Sequence, residues 1–123
     1  MEDLQRKQAV FWLDYSKQLS TNIRYQEALA AIERSLALDS ANAEAWYVKG
    51  TCLAMVARYD EALTHFEQAL RLNERYAAAW DARAWVLGIQ GKKEEALAAV
   101  RRALELDPEY FEAQKRKKRL EAM

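Results

Sequence analysis

The sequence has few of the residues that turn or break a chain, with 3 Gly and 1 Pro among 123 residues. β-Sandwiches and collagen-like chains need many of both, so the composition excludes these classes. Neither sign of charge dominates, because 19 Lys and Arg balance 19 Asp and Glu. A strongly basic nucleic-acid-binding domain is therefore not indicated. Disorder is disfavoured too, since 51% of the residues are hydrophobic and the net charge is zero.

The sequence contains one cysteine, Cys52, and one histidine, His65. One Cys cannot form an internal disulfide, and one Cys with one His cannot supply the four ligands of a zinc site. The N-terminal residues are polar, without the apolar core of a signal peptide. No run approaches the roughly 18 apolar residues of a membrane span. These absences predict a soluble, cytoplasmic, helical protein with no metal or other cofactor.

A pattern recurs every 34 residues. The recurring positions hold the same residue in each copy: Trp12, Trp46 and Trp80; Leu19, Leu53 and Leu87; and an Ala-Leu pair that begins at Ala28, Ala62 and Ala96. No insertion breaks the register. The pattern predicts one domain over 1–123, with repeats at 9–42, 43–76 and 77–110 and a last segment at 111–123.

Each repeat has the apolar spacing of two helices joined by a short polar turn. Asn22 and Gly91 lie in these turns, and we expect both to adopt the left-handed conformation that ends a helix. Small residues recur where the two helices must touch: Ser16, Gly50 and Ala84 on the first helices, and Ala28, Ala62 and Ala96 on the second. A large side chain there would hold the helix axes beyond the close-packing distance of about 8–10 Å. The periodic Trp residues are expected to pack in the core.

These residues resemble the tetratricopeptide repeat (TPR) family. The match consists of the Trp, the small residue four later, the Leu three after that, the Ala of the second helix and the closing Asp107-Pro108. Ser40 and Glu74 replace that closing Pro in the first two repeats. The resemblance implies an all-α fold, a right-handed α-solenoid of three helix-turn-helix repeats with a capping helix over 111–123.

The resemblance further implies a concave groove lined by the first helix of each repeat. The exposed groove positions are expected to be Leu13, Lys17, Ser20 and Thr21; Tyr47, Thr51, Ala54 and Met55; and Asp81, Trp85, Gly88 and Ile89. A basic rim is expected at Lys115, Arg116 and Arg119. Trp85 lies outside the 34-residue period, so the core role of the periodic Trp residues does not account for it. We expect Trp85 to form a peptide-binding patch with Tyr47, Met55 and Ile89. The alternative is that it packs against the next helix, or under Tyr110 or Phe111.

Some TPR domains bind the acidic C-terminal tail of heat-shock chaperones through a clamp of Lys, Arg and Asn side chains. The corresponding positions here are Leu13, Lys17, Val48, Asp81 and Trp85. Only Lys17 has a suitable charge, and Asp81 would repel an acidic tail. We therefore expect a partner other than a chaperone tail.

No catalytic set can be assembled from the sequence, so we predict that the chain is not an enzyme. His65 is expected to be either solvated or at an edge, and Cys52 to be a small buried side chain without an activating base. The basic run at 115–119 has two interpretations. It is either the solvated face of a capping helix or a patch for an acidic partner, a membrane surface or RNA.

Two functions fit these observations. The first is an adaptor that binds a peptide or helix of a partner protein in the groove. The second is a scaffold that self-associates into a homo-oligomer through its repeat ends or grooves. Polar residues at both ends of the array resemble caps, and they favour the adaptor.

Overall fold

The computed structural model describes residues 2–123, and these residues form seven helices and no strand. The helices are α1 (Glu2–Thr21), α2 (Tyr25–Leu38), α3 (Ala43–Met55), α4 (Tyr59–Leu72), α5 (Ala77–Ile89), α6 (Lys93–Leu106) and α7 (Phe111–Glu121). The contacts divide the chain after Leu72 into two compact units, one of α1–α4 and one of α5–α7. The prediction of an all-α helical repeat fold is confirmed.

Successive helices pack as antiparallel pairs, α1 on α2, α3 on α4 and α5 on α6. Helices α3 and α5 begin at Ala43 and Ala77, where the 34-residue pattern places the start of a repeat. Helix α1 begins well before residue 9, because the polar N-terminal segment is helical as well. Within the first unit α3 also contacts α2 and α1, and within the second α7 contacts α6 and α5.

The turn inside each repeat places one residue in the left-handed region. These residues are Ile23 (φ 63°), Ala57 (φ 64°) and Gly91 (φ 78°), at the same position of each repeat. The prediction is correct for Gly91 but wrong for Asn22, since the next residue adopts this conformation. The amide of the residue that follows each one donates to the carbonyl of a Leu five residues before it, at 2.9 Å in all three turns. This hydrogen bond holds the turn in the same conformation in all three repeats, even where the residue in the left-handed region is Ile, for which positive φ is unfavourable.

The paired helices approach most closely at the small residues. In the first repeat the Ser16 hydroxyl donates to the carbonyl oxygen of Ala28 at 2.7 Å, across the α1–α2 contact. In the third, Ala84 and Ala96 are both completely buried. The prediction that these positions bring the helices together is confirmed. A close contact of this kind buries the backbone itself, so no larger side chain fits there.

The periodic Trp residues are half-buried rather than fully enclosed. The indole N–H of Trp46 donates to Ser40 O at 2.8 Å, and that of Trp80 donates to Glu74 O at 3.0 Å. Each carbonyl belongs to the turn six residues before the Trp. The hydrogen bond therefore joins the helix of the Trp to the preceding turn. It also satisfies the indole N–H, for which the prediction of core packing gave no partner.

Gly50 provides a test of the close helix contact. A Cβ atom at Gly50 would lie 2.6 Å from Cε1 of the fully buried Phe66 and 3.2 Å from Ala62 O. Gly→Ala in a helix ordinarily stabilises by about 1 kcal/mol, but overpacking costs about 1–3 kcal/mol. We expect Gly50→Ala to lower the free energy of unfolding by about 1–2 kcal/mol, measured by urea denaturation.

Gly88→Ala is the matched control. A Cβ atom there would meet only the Leu120 Cδ2 atom, at 3.2 Å, the tip of a flexible side chain. Its effect on the urea midpoint should be clearly smaller than that of Gly50→Ala. Equal effects of the two substitutions would contradict a packing origin.

Candidate functional site: the cleft between the first and third helices

A cleft of about 230 Å³ lies between α1 and α3 in the first unit. Its lining comes from both helices: Lys17, Ser20 and Thr21 from α1, and Glu44, Tyr47, Val48 and Thr51 from α3. The structure thus brings together five of the predicted groove residues, namely Lys17, Ser20, Thr21, Tyr47 and Thr51.

An ion pair spans one edge of this cleft. The Lys17 ammonium lies 3.0 Å from Glu44 Oε2, and both side chains are almost half exposed. The hydrogen bond and the charge of Glu44 raise the pKa of Lys17. Exposed ion pairs contribute little to folding, typically about 0–1 kcal/mol, so the pair can open at low cost to contact a ligand.

The rest of the cleft offers apolar surface and hydroxyl groups. Val48 is nearly buried, and the Tyr47 ring packs against the Phe66 ring with their centroids 6.0 Å apart. The Thr21 hydroxyl donates to Lys17 O and the Thr51 hydroxyl to Tyr47 O, each at 3.0 Å. Both hydroxyls are therefore bonded within their own helices, which leaves their oxygen lone pairs as acceptors.

Three predicted groove residues are buried, so the expectation that they are exposed is wrong. Leu13 is 4% exposed because it continues the buried stripe of Ala9 and Ser16 along α1. Ala54 is 4% exposed, beside the buried Leu53. Asp81 is 5% exposed, because its carboxylate binds a side chain of α7. Burial removes these side chains from the surface that a ligand can reach.

The remaining groove positions differ in exposure. Met55 and Ile89 are exposed, at 46% and 49%. Trp85 and Gly88 are half-buried on α5 of the second unit. That Met55, Ile89, Trp85 and Tyr47 form one patch stays a prediction.

The predicted basic rim is only partly a free surface. Arg116 of α7 donates through Nε to Asp81 Oδ1 at 2.7 Å and through Nη2 to Oδ2 at 3.2 Å. Lys115 lies 3.5 Å from Glu112 Oε2 and 4.8 Å from the centre of the Phe111 ring. Arg119 is exposed. The positive charge of Arg116 is thus neutralised inside the second unit, where it holds α7 against α5.

The single Cys and the single His of the sequence are buried to different degrees. Cys52 is fully buried, as predicted, and burial raises the pKa of its thiol. His65 is half-buried; its ring lies 5.6 Å from that of Trp46, with Nδ1 2.7 Å from Glu61 O. Burial lowers the pKa of His65. Within residues 2–123 no group of three or more His, Cys, Asp and Glu side chains could hold a metal ion. No helix of that described part combines the length and apolar character needed to cross a bilayer.

Glu44 was not predicted from the sequence as a lining residue of the cleft. The ion pairs Lys17–Glu44 and Asp81–Arg116 were not predicted either. Lys17 and Glu44 are 27 residues apart, and Asp81 and Arg116 are 35 apart. The Lys17–Glu44 pair joins the first helices of two consecutive repeats, and the Asp81–Arg116 pair joins the first helix of the third repeat to α7 in the last segment. A scan for opposite charges at these separations is the signal that could have found them.

The Asp81–Arg116 pair predicts how α7 is held. Arg116→Ala leaves a carboxylate that is 7% exposed without its two guanidinium hydrogen bonds. We expect a loss of about 1–3 kcal/mol in the free energy of unfolding, because a buried charge without a partner is costly. Urea denaturation measures it.

Lys115→Ala is the control, since the exposed Lys115–Glu112 pair should contribute within about 0.5 kcal/mol. In a double-mutant cycle, Asp81→Asn should recover part of the loss caused by Arg116→Ala. Additive effects would show that the pair does not couple α5 to α7.

The chain matches two sequence models described as "Tetratricopeptide repeat", one over residues 43–109 and one over residues 21–55. The first match covers more than half of the 123 residues. No curated protein sequence matches the chain significantly.

Solved structures share the fold. The Arabidopsis OM64 TPR domain is 18% identical, with a TM-score of 0.92 over 96% of this chain and 98% of that domain. The first TPR of Spaghetti (RPAP3), bound to the HSP90 peptide SRMEEVD, is 22% identical, with a TM-score of 0.89 over 94% of this chain and 92% of its own. The second TPR domain of human RPAP3, in complex with the HSP70 peptide SGPTIEEVD, is 22% identical, with a TM-score of 0.86 over 98% of each chain. The chain belongs to the tetratricopeptide repeat family.

Proposed function

We propose that this chain is a non-enzymatic adaptor that binds a peptide or helix of a partner protein in the cleft between α1 and α3. The observation that carries the proposal is the cleft itself, where side chains of two helices surround an apolar floor beside the Tyr47 ring. Clefts with apolar walls and a few polar groups are the usual form of a recognition site. The peptides bound to the two RPAP3 domains support a peptide as the ligand.

The chemistry of the cleft favours an apolar residue of the partner in its centre. Val48, Tyr47 and the Thr methyl groups supply the apolar contacts, and the Lys17–Glu44 pair can contact polar groups of the ligand backbone at the edge. Because the pair has no net charge, a ligand of strong charge gains little attraction there.

An acidic chaperone tail is not the proposed ligand. Lys17 is the one cation among the clamp positions of the first unit, and the other two, Leu13 and Val48, are apolar and buried. No second cation is available among them to hold a terminal carboxylate. Because chaperone peptides are bound to the two RPAP3 domains, the binding of an acidic tail to this chain is tested directly.

The acidic-tail test uses the peptide SRMEEVD with a fluorescent label. We expect fluorescence anisotropy to show no saturation below about 100 µM. Binding at about 1–10 µM that Lys17→Ala abolishes would overturn the exclusion. It would leave the cleft itself as the binding site.

The adaptor proposal is tested with a random peptide library displayed on phage and selected on the immobilised chain. The enriched peptide is then titrated by calorimetry against the wild type, Thr51→Gln and Thr64→Gln. Thr51 and Thr64 both donate their hydroxyls to the carbonyl four residues before them, but only Thr51 lines the cleft. A Gln side chain at Thr51 fills the space, so we expect Kd to rise at least about tenfold, a change of about 1.4 kcal/mol.

Thr64→Gln should leave Kd unchanged, since Thr64 is exposed on α4. Equal Kd values for all three proteins would place the peptide outside this cleft. Failure of the library to yield any binding peptide would also count against the proposal.

A further inference from the structure

A second cleft lies at the start of the chain, on a different surface. It has a volume of about 660 Å³ and lies between α1 and the end of α2. Its apolar lining includes Phe11, Trp12, Ala37 and Leu38, and Lys7 and Arg34 add two cations. No residue of this lining takes part in the α1–α3 cleft.

The cleft is open because the first repeat departs from the second at two points. Phe11 occupies the position of Ala45, which is fully buried, yet Phe11 is 61% exposed. Trp46 donates to the turn before α3, whereas the position six residues before Trp12 is Arg6, inside α1. Helix α2 covers one face of α3. The corresponding face of α1 is therefore not covered in the same way.

Aromatic rings cluster on this uncovered face. The Phe11 ring lies 5.3 Å from the Trp12 ring and 6.2 Å from the Tyr15 ring, centroid to centroid. Tyr15 is 42% exposed, and Leu4 on the same side of α1 is 62% exposed. An exposed apolar surface of this kind usually marks an interaction site.

The charges of the cleft define what it can bind. The Arg34 guanidinium lies 4.7 Å from the centre of the Trp12 ring, and Lys7 lies on the α1 side. Neither cation forms an ion pair within the part of the chain that the structure describes. The residues that line the cleft include no carboxylate. The complementary ligand is an apolar or aromatic side chain flanked by carboxylates.

The chain itself contains such a segment. Phe111 is 63% exposed at the start of α7, and Glu109 and Glu112 flank it, both exposed as well. Asp107 adds a third carboxylate to this stretch. Other exposed large apolar residues of the described chain have a carboxylate within two residues on one side only, as at Leu4, Tyr15, Leu72 and Met123, or on neither side, as at Met55 and Ile89. Phe111 has one on each side.

We propose that the chain associates head to tail with a second copy. Phe111 of one copy enters the cleft between α1 and α2 of the next, beside Phe11 and Trp12, and Glu109 and Glu112 pair with Lys7 and Arg34. Glu112 gives up its exposed ion pair with Lys115 for this contact, which costs little. The two surfaces differ, so the contact is heterologous, and copies can add in a row unless the rotation closes a ring. The association goes beyond the proposed peptide binding, because it uses none of the residues that line the α1–α3 cleft.

Two single variants test whether the contact joins two different surfaces, head to tail. Phe11→Ser removes the cleft side and Phe111→Ser removes the inserting side, and both residues are exposed enough for the fold to tolerate the change. Sedimentation equilibrium of the wild type should give a mean mass that rises with concentration from the 14.3 kDa of one copy. Each variant alone should stay at the mass of one copy. Their equimolar mixture should reach twice that mass and no more, because each variant keeps one functional surface.

A charge exchange tests the ion pairs independently of the aromatic residues. Lys7→Glu with Arg34→Glu should abolish the rise in mass, and adding Glu109→Lys and Glu112→Lys to the same chain should restore it. Circular dichroism confirms that each variant is folded.

Three results would overturn the proposal. One is a wild type that stays at the mass of one copy up to about 1 mM, the range of a very weak interface. Another is a Phe111→Ser variant that still associates, which would indicate a symmetric contact between two α1 helices. The third is a mixture of the two single variants that stays at the mass of one copy.

Discussion

The close approach of the two helices of each repeat at a small residue is the constraint on which the structure depends. At Gly50 even one added carbon would overlap the buried Phe66 ring. In the first repeat the same position lets Ser16 reach the backbone of α2. Because the two helices of one repeat lie close together, the first helix of the next repeat can pack beside the first helix of the previous repeat. The contact of α3 with both α2 and α1 follows, and with it the cleft that α1 and α3 share.

The sequence predicted the features that recur with the repeat, because each depends on neighbours a few residues away. It could not predict features set by a partner on another helix. Leu13 and Asp81 occupy groove positions of the pattern, but their burial depends on what packs against them, and for Asp81 this is Arg116 of α7. At Ile23 the hydrogen bond of the turn outweighs the unfavourable positive φ of an Ile residue. The prediction relied on the preference of Asn22 for the left-handed region and was therefore wrong by one residue.

The two candidate surfaces differ more clearly in charge than in shape. In the cleft between α1 and α3 Glu44 neutralises Lys17, so the proposed peptide recognition there rests on apolar contact. At the start of the chain Lys7 and Arg34 stand beside aromatic rings without such a partner on the cleft wall. The proposed peptide site and the proposed self-association site share no lining residue, so the two interactions would not compete for the same side chains.

The most direct measurement of the central claim is a chemical-shift map of the bound peptide. Backbone amide resonances of the isotope-labelled chain are recorded as the selected peptide is added, at a protein concentration where the chain is monomeric. Peptide binding in the cleft between α1 and α3 predicts that the largest shift changes fall on Ser20, Thr21, Tyr47, Val48 and Thr51. Changes confined to α7, or to the aromatic residues at the start of α1, would contradict it.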